Sequence, residues 1–79
     1  MIYKVKYFGR IAELIGKTEE NIEAENIITI ADFQDELIQK YNELTNEKFS
    51  IAVDMKIMDL TASMNDANEI AILPPFAGG

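Results

Sequence analysis

The sequence predicts an α+β domain in which one main helix crosses one face of a mixed sheet. Short β-rich segments with alternating apolar and polar residues lie near both ends of the chain. One longer segment between them has apolar residues at spacings of three and four. Because the chain has only 79 residues, we expect one small domain whose helix buries its apolar face on the sheet.

The first predicted strand covers residues 3–8. Its alternate residues from Tyr3 to Tyr7 face the core, and Phe8 faces outward with the two lysines between them. An outward phenylalanine beside a strand is a candidate for a docking surface.

A short helical turn over residues 10–15 follows, and Gly16 ends it because glycine adopts the left-handed conformation at little cost. We expect Leu14 to fill the core from this turn. The second strand, over residues 20–24, points Ile22 inward, and its glutamates suit an edge strand.

The main helix is predicted to begin after Thr29, with Thr29 as N-cap and Asp32 at the third helical position. It extends over roughly four turns. Its apolar stripe is formed by Ile30, Phe33, Leu37, Tyr41 and Leu44.

Three strands are predicted after the helix, over residues 49–53, 56–58 and 69–73. A turn cluster over residues 65–68 precedes the last strand, and Pro74 ends it. The short connections and the crossover helix favour a mixed sheet.

Alternation in the last strand points Ile70 and Ile72 inward and Leu73 outward. If the first and last strands are neighbours, Phe8 and Leu73 share the face that the helix leaves open. With Phe76 they form an apolar patch that leads into the C-terminal tail. Ile57 is a further docking candidate on the fourth strand.

Composition excludes several classes of function. The chain contains no cysteine and no histidine, so a zinc site of the usual kind and a Ser-His or Cys-His nucleophile are not expected. The net charge of −7 argues against nucleic acid and anionic membranes as partners. Without an apolar run of membrane-spanning length or a signal sequence, we expect a cytoplasmic protein.

The C-terminal tail, residues 74–79, is the strongest functional signal. From Ile70 onward no side chain is charged, and the sequence ends Pro-Pro-Phe-Ala-Gly-Gly. Two prolines hold the base of a tail extended, and the terminal glycines form a thin end that a narrow cleft can admit. We expect a flexible tail that is presented to another protein as a substrate, with Gly79 as the reacting residue.

Three motifs carry a resemblance to a known family. Residues 5–16, with their Tyr-Phe and Glu-Leu pairs and closing glycine, resemble the start of the molybdopterin synthase small subunit, the MoaD family. Ala52-Val53-Asp54 is similar to that family's Ala-Val-Asn turn, and residues 73–79 are similar to its Pro-Pro-x-x-Gly-Gly end. Two positions depart from the family pattern. Ala12 stands where the family often has arginine, and Asp54 stands where it usually has asparagine.

The resemblance implies a β-grasp, ubiquitin-like fold and a sulfur carrier that binds no cofactor. An ATP-dependent adenylyltransferase of the MoeB family would activate the carboxylate of Gly79, and a sulfur donor would convert it to a thiocarboxylate. The large subunit, of the MoaE family, would supply the catalytic residues that pass sulfur to cyclic pyranopterin monophosphate. Pro74, Pro75, Ala77 and Gly78 would thread the tail into these enzymes.

Three alternatives remain open from the sequence. The chain is also compatible with the sulfur carrier of thiazole synthesis, ThiS, although the residue 5–16 motif favours the molybdopterin branch. A protein modifier of the Urm type would join Gly79 to lysines of other proteins. A plain interaction domain with an incidental Gly-Gly end is the third alternative.

Overall fold

The computed structural model describes residues 1–64 and 67–75. In chain order the elements are β1 (Ile2–Tyr7), α1 (Gly9–Ile15), β2 (Glu19–Glu23), α2 (Ile30–Lys40), a 3-10 turn (Asn42–Leu44), β3 (Ser50–Val53), β4 (Lys56–Ile57) and β5 (Glu69–Leu73).

The five strands form one sheet in the order β2-β1-β5-β3-β4. β1 and β5 pair in parallel, with Val5 opposite Ile70 and Tyr7 opposite Ile72. The β1–β2, β3–β4 and β3–β5 pairs are antiparallel. The mixed sheet, the neighbouring first and last strands and the edge position of β2 are therefore confirmed.

α2 packs on the inner face of the sheet. The rings of Tyr3 and Phe33 meet edge to face with centroids 5.6 Å apart, and Val5, Ile70 and Ile72 are fully buried between the elements. The alternation predicted for the two central strands is confirmed. Leu14 of α1 packs against the core as predicted but is only half-buried, and Ile11 is the buried residue of that helix.

α2 begins as the sequence predicts. Thr29 Oγ1 accepts a hydrogen bond from the Asp32 backbone N–H, and the Asp32 carboxylate accepts one from the Thr29 backbone N–H. This capping box satisfies backbone groups that a helix start otherwise leaves free.

The predicted length of α2 is wrong, because the helix ends at Lys40. Tyr41 has φ −127° and ψ 89°, outside the helical region. The 3-10 turn then redirects the chain so that Leu44 is still fully buried. The predicted apolar stripe is confirmed, although its last two members lie beyond the helix.

Other boundaries differ from the prediction by one residue. β2 begins and ends one residue earlier, at Glu19 and Glu23, β3 begins at Ser50, and β4 ends at Ile57. Such shifts are usual at element ends, where a single hydrogen bond decides the boundary. Asn65 and Asp66 of the predicted turn cluster lie outside the described residues.

A cluster of polar side chains ties α2 to β1 and β2. Glu20 Oε2 accepts hydrogen bonds from the hydroxyls of Tyr7, at 2.6 Å, and of Tyr41. Its other oxygen lies 3.1 Å from Lys17 Nζ and 3.6 Å from Lys40 Nζ. One carboxylate thereby joins two strands, the end of α2 and two cations.

These contacts shift the pKa values of the cluster. Partial burial alone would raise the pKa of Glu20, but hydrogen bonds from the two tyrosines and Lys17 outweigh it and lower the pKa from 4.5 to about 2. Burial and the adjacent carboxylate raise the pKa of Tyr7 and that of Tyr41. Glu20 is therefore ionised, and both hydroxyls are protonated, throughout the neutral range.

We predict that Glu20→Gln lowers the free energy of unfolding at pH 7 by roughly 1–2 kcal/mol, because hydrogen bonds to a charged acceptor are replaced by weaker ones. The folded pKa of Glu20 is depressed, so its contribution is present above pH 4.5 and is lost as the pH falls toward 2. Urea unfolding at several pH values measures both effects.

The matched control is Glu19→Gln, since Glu19 is exposed on the same strand. It should leave both the stability and its acid dependence close to those of the unaltered chain. If Glu20→Gln loses no stability at pH 7, or loses as much between pH 4.5 and 2 as the unaltered chain, the network does not stabilise the fold.

Candidate functional site

The sheet face opposite α2 carries a row of small and apolar side chains. Lys6 of β1 pairs with Ala71 of β5, Ala71 pairs with Ala52 of β3, and Ala52 pairs with Ile57 of β4. Because paired residues point to the same side of a sheet, these four lie in one line across four strands. Three of the four are uncharged, which leaves most of this line without ionic groups.

Leu73 and Phe8 adjoin this row. Leu73 pairs with Ser50 one step further along the strands. Phe8 keeps an extended backbone, with φ −128° and ψ 152°, so it continues the alternation of β1 and points away from Tyr7. We call this side of the sheet, with Phe8, Ile57, Ala71 and Leu73 and with the buried Ala52 between Ala71 and Ile57, the outer face.

The outer face brings together three of the predicted docking residues. Phe8 is 44% and Ile57 50% exposed, although both are large apolar side chains, and Leu73 is half-buried. An ion pair between Lys6 and Glu69, at 3.3 Å, borders the apolar residues. A polar rim around an apolar centre is typical of protein–protein interfaces. The docking role itself stays a prediction.

The base of the tail leaves the sheet beside α1. Pro74 is half-buried and Pro75 is exposed. Both prolines border a groove of about 340 Å³, whose other lining residues are Arg10, Ile11, Asn46, Glu47 and Lys48.

An ion pair closes one side of this groove. The Arg10 guanidinium donates to both oxygens of Glu47 through Nε, at 3.2 and 3.4 Å, and to Oε1 through Nη2 at 3.1 Å. The pair joins α1 to the loop after the 3-10 turn. Because Arg10 is largely exposed, we expect the pair to shape the groove more than it stabilises the fold.

The predicted roles at the end of the tail stay predictions. The docking residue Phe76, the threading residues Ala77 and Gly78, and the reacting residue Gly79 lie outside the described residues.

The structure explains the departure at position 54. Asp54 has φ 48° and Met55 has φ 74°, so the turn between β3 and β4 requires residues that tolerate positive φ. The Asp54 carboxylate accepts a hydrogen bond from the Glu69 backbone N–H at 3.0 Å. Asparagine and aspartate share that tolerance and that acceptor oxygen, so Asp54 can serve as the family's usual asparagine would.

The departure at position 12 is also accommodated. Ala12 is half-buried on α1 and packs against the core, and its carbonyl accepts the Gly16 N–H that closes the helix. Gly16 has φ 82°, which confirms it as the glycine that ends the first helix.

Two features of the molecule were missed in the sequence. Glu20 was assigned to an acidic edge, although its spacing of two from the inward Ile22 places it on the inner face. Gly9 has no predicted role, whereas in the structure it lies against the ring of Pro74. The first could have been found from alternation, but no local signal indicates the second.

Within residues 1–64 and 67–75, the acidic side chains form no group that could hold a metal ion. The same residues contain no helix long and apolar enough to cross a membrane.

The fold and the apolar, proline-stiffened end of β5 define a small ubiquitin-like protein of the β-grasp class. The model of the ThiS family matches residues 5–79. A molybdopterin synthase sulfur carrier subunit from Mycobacterium tuberculosis is 33% identical over 78 residues, which covers 95% of this chain and 94% of that protein. The chain therefore belongs to the ThiS family and is a homologue of molybdopterin synthase sulfur carrier subunits.

Solved structures agree with this fold. A protein described as molybdopterin converting factor, subunit 1, from Pyrococcus furiosus has a TM-score of 0.84 at 24% identity, covering 96% of this chain and 99% of that one. A complex of subunits 1 and 2 of molybdopterin-converting factor from Helicobacter pylori gives 0.66 at 24%, with both chains fully covered.

Small archaeal modifier protein 1 from Methanosarcina acetivorans is also similar. It has a TM-score of 0.72 at 26% identity and covers 99% of this chain and 96% of that one. The same fold thus occurs in proteins named as molybdopterin-converting factors and in proteins named as small archaeal modifiers.

Proposed function

We propose that this protein is the sulfur carrier subunit of a molybdopterin synthase. The observation that carries the proposal is the 33% identity, over 95% of the chain, to a curated subunit with that name. The same likeness favours molybdopterin synthesis over thiazole synthesis, although the matching family model bears the thiazole carrier's name.

The proposed chemistry takes place at the carboxylate of Gly79. A carboxylate is a poor electrophile, so an adenylyltransferase of the MoeB family first forms an acyl-adenylate from ATP and releases pyrophosphate. A sulfur nucleophile then displaces AMP and leaves a thiocarboxylate. Because this chain has no cysteine, its own side chains offer no thiol on which transferable sulfur could be held.

The thiocarboxylate then donates its sulfur to cyclic pyranopterin monophosphate, and the carrier returns to the carboxylate form. A dithiolene contains two sulfur atoms, so two loaded carriers are consumed for each molybdopterin. The catalytic residues for this step belong to the large subunit in this proposal, and the carrier supplies the reacting group.

The outer face is the proposed docking surface for that large subunit, of the MoaE family. The likeness to a chain solved as a complex of subunits 1 and 2 supports this pairing. Six residues from Pro74 to Gly79 extend at most about 20 Å. A partner seated on Phe8, Ile57 and Leu73 can therefore receive Gly79 in a recessed active site.

A protein modifier is the second candidate. The 26% identity to small archaeal modifier protein 1 favours it, and the activation of Gly79 would be the same. The two functions differ after activation. In a modifier the activated carboxyl group is transferred to a lysine amine, whereas in a sulfur carrier it is converted to a thiocarboxylate. We place both activities in the cytoplasm.

We predict that incubation with a competent adenylyltransferase, ATP and sulfide raises the intact mass of the chain by about 16 Da, the difference between sulfur and oxygen in one atom. Mass spectrometry of the C-terminal peptide should locate the change at Gly79. A chain lacking Gly79 is the control and should keep its mass and its melting temperature.

The possible results separate the alternatives. No mass change with an enzyme that adenylates the chain would contradict the carrier function. Adducts on lysines of other proteins, formed without the 16 Da species, would favour the modifier. If the chain lacking Gly79 still supports molybdopterin synthesis, neither function depends on that residue.

We predict that Ile57→Ala weakens binding to the large subunit about tenfold, since truncating one of the few side chains that carry the binding energy of an interface costs more than about 1 kcal/mol. The matched control is Ile28→Ala. Ile28 is likewise exposed, at 67%, but precedes α2 and lies off the outer face. Calorimetric titration of the unaltered chain and both variants measures the difference. Equal affinities for the two variants would contradict docking at Ile57.

A further inference from the structure

We infer that Gly9 is a positioning residue for the tail, acting through Pro74. The inference rests on the proposed function, because it concerns how the tail is delivered to the enzyme that activates it. It assigns to Gly9 a role that is separate from docking and from the chemistry at Gly79.

The contact between Gly9 and Pro74 leaves a methyl group too little room unless the proline ring shifts slightly. A Cβ atom on Gly9 would lie 3.2 Å from Cγ of the Pro74 ring and 3.7 and 3.9 Å from its Cδ and Cβ. Gly9 also has φ +55°, a conformation that residues with a Cβ rarely adopt. The glycine thus allows the ring to lie against the backbone where α1 begins.

The position of Pro74 sets the path by which the chain leaves the sheet. The Phe8 N–H donates to the Ile72 carbonyl at 3.1 Å, which extends the β1–β5 pairing beyond the end of β1. Proline has no N–H with which to continue the ladder. On the β1 side of β5, packing of the Pro74 ring against Gly9 therefore continues the contact between the two ends of the chain beyond Ile72.

Pro74 also borders the groove described above. Ile11 lines the same groove, and the Arg10–Glu47 ion pair joins α1 to the loop that faces it. Between the contact with Gly9 and the residues of this groove, the base of the tail starts from a defined place. A defined start reduces the conformational freedom that the tail loses on entering a partner's cleft.

A methyl group at position 9 should shift Pro74 by a few tenths of an ångström and redirect the tail. The redirected tail must be turned back before it enters the adenylating enzyme, but it reaches the same final position. The free-energy cost of turning the tail back weakens the binding of substrate and of transition state equally. It therefore raises KM and leaves kcat unchanged.

Gly16 is a matched control for Gly9. It also has positive φ, +82°, but among the described residues, its two chain neighbours aside, no atom lies within 4 Å of the position that its Cβ would take. Gly16→Ala therefore imposes similar backbone strain without touching the tail. A purely structural role for Gly9 predicts that the two variants behave alike.

The experiment measures pyrophosphate release by the adenylyltransferase with the unaltered chain and with Gly9→Ala, Gly16→Ala, Pro74→Ala and the Gly9→Ala/Pro74→Ala pair. Both glycine variants should lower the melting temperature to a similar degree. We expect Gly9→Ala to raise KM about fivefold with kcat within about twofold, and Gly16→Ala to change neither by more than about twofold.

The double variant tests whether Gly9 acts through the proline ring. Pro74→Ala removes the ring atoms that the new methyl group meets. Adding Gly9→Ala to Pro74→Ala should therefore raise KM little further, which is the non-additivity expected of residues in contact. Additive effects, or equal KM values for Gly9→Ala and Gly16→Ala, would overturn the inference.

Backbone NMR spectra provide a readout that does not require the enzyme. Gly9→Ala should shift the amide signals of the residues after Pro75, and Gly16→Ala should leave them in place. If Gly9→Ala does not fold, Pro74→Ala should still shift the amide signal of Gly9. Unmoved signals overturn the inference, whereas moved signals in a chain that no enzyme adenylates overturn the proposed function alone.

Discussion

The parallel pairing of β1 with β5 is the interaction on which the rest of the molecule depends. It places Val5 beside Ile70 and Tyr7 beside Ile72 at the centre of the sheet, and Val5, Ile70 and Ile72 are fully buried. The same register brings the start of the chain to the base of the tail. Strand alternation places Phe8 on the face that carries Leu73, and Gly9 lies against Pro74. One ladder therefore builds the core and sets where the tail begins.

The two faces of the sheet differ in what covers them. The inner face is closed by α2, whose end is tied to the edge strand through Glu20 and two tyrosines. In the part of the chain that the structure describes, α2 lies on the inner face, and Ile57 and Phe8 of the outer face are exposed. Because α2 packs on the inner face alone, the outer face is available to bind a partner. A small domain can in this way combine a rigid interior with a large interaction surface.

Much of the fold could be predicted from the sequence because its signals are local. The capping box at Thr29, the apolar stripe of α2 and the alternation of β1 and β5 each follow from residues close together in the chain. The end of α2 could not be predicted, since Tyr41 continues the apolar spacing although its backbone leaves the helix. The site divides in the same way. The outward direction of Phe8 follows from alternation, whereas the contact of Gly9 with Pro74 exists only once the two ends of the chain are paired.

In the proposed function, sulfur held at Gly79 is the species that the partner consumes. The most direct test prepares the chain with a C-terminal thiocarboxylate by semisynthesis and mixes it with the large subunit and cyclic pyranopterin monophosphate, without ATP or activating enzyme. Molybdopterin should form, at about one molecule for every two carriers, and the carboxylate form should give none. If the loaded chain yields no molybdopterin with a large subunit that is active on another carrier, the account is contradicted.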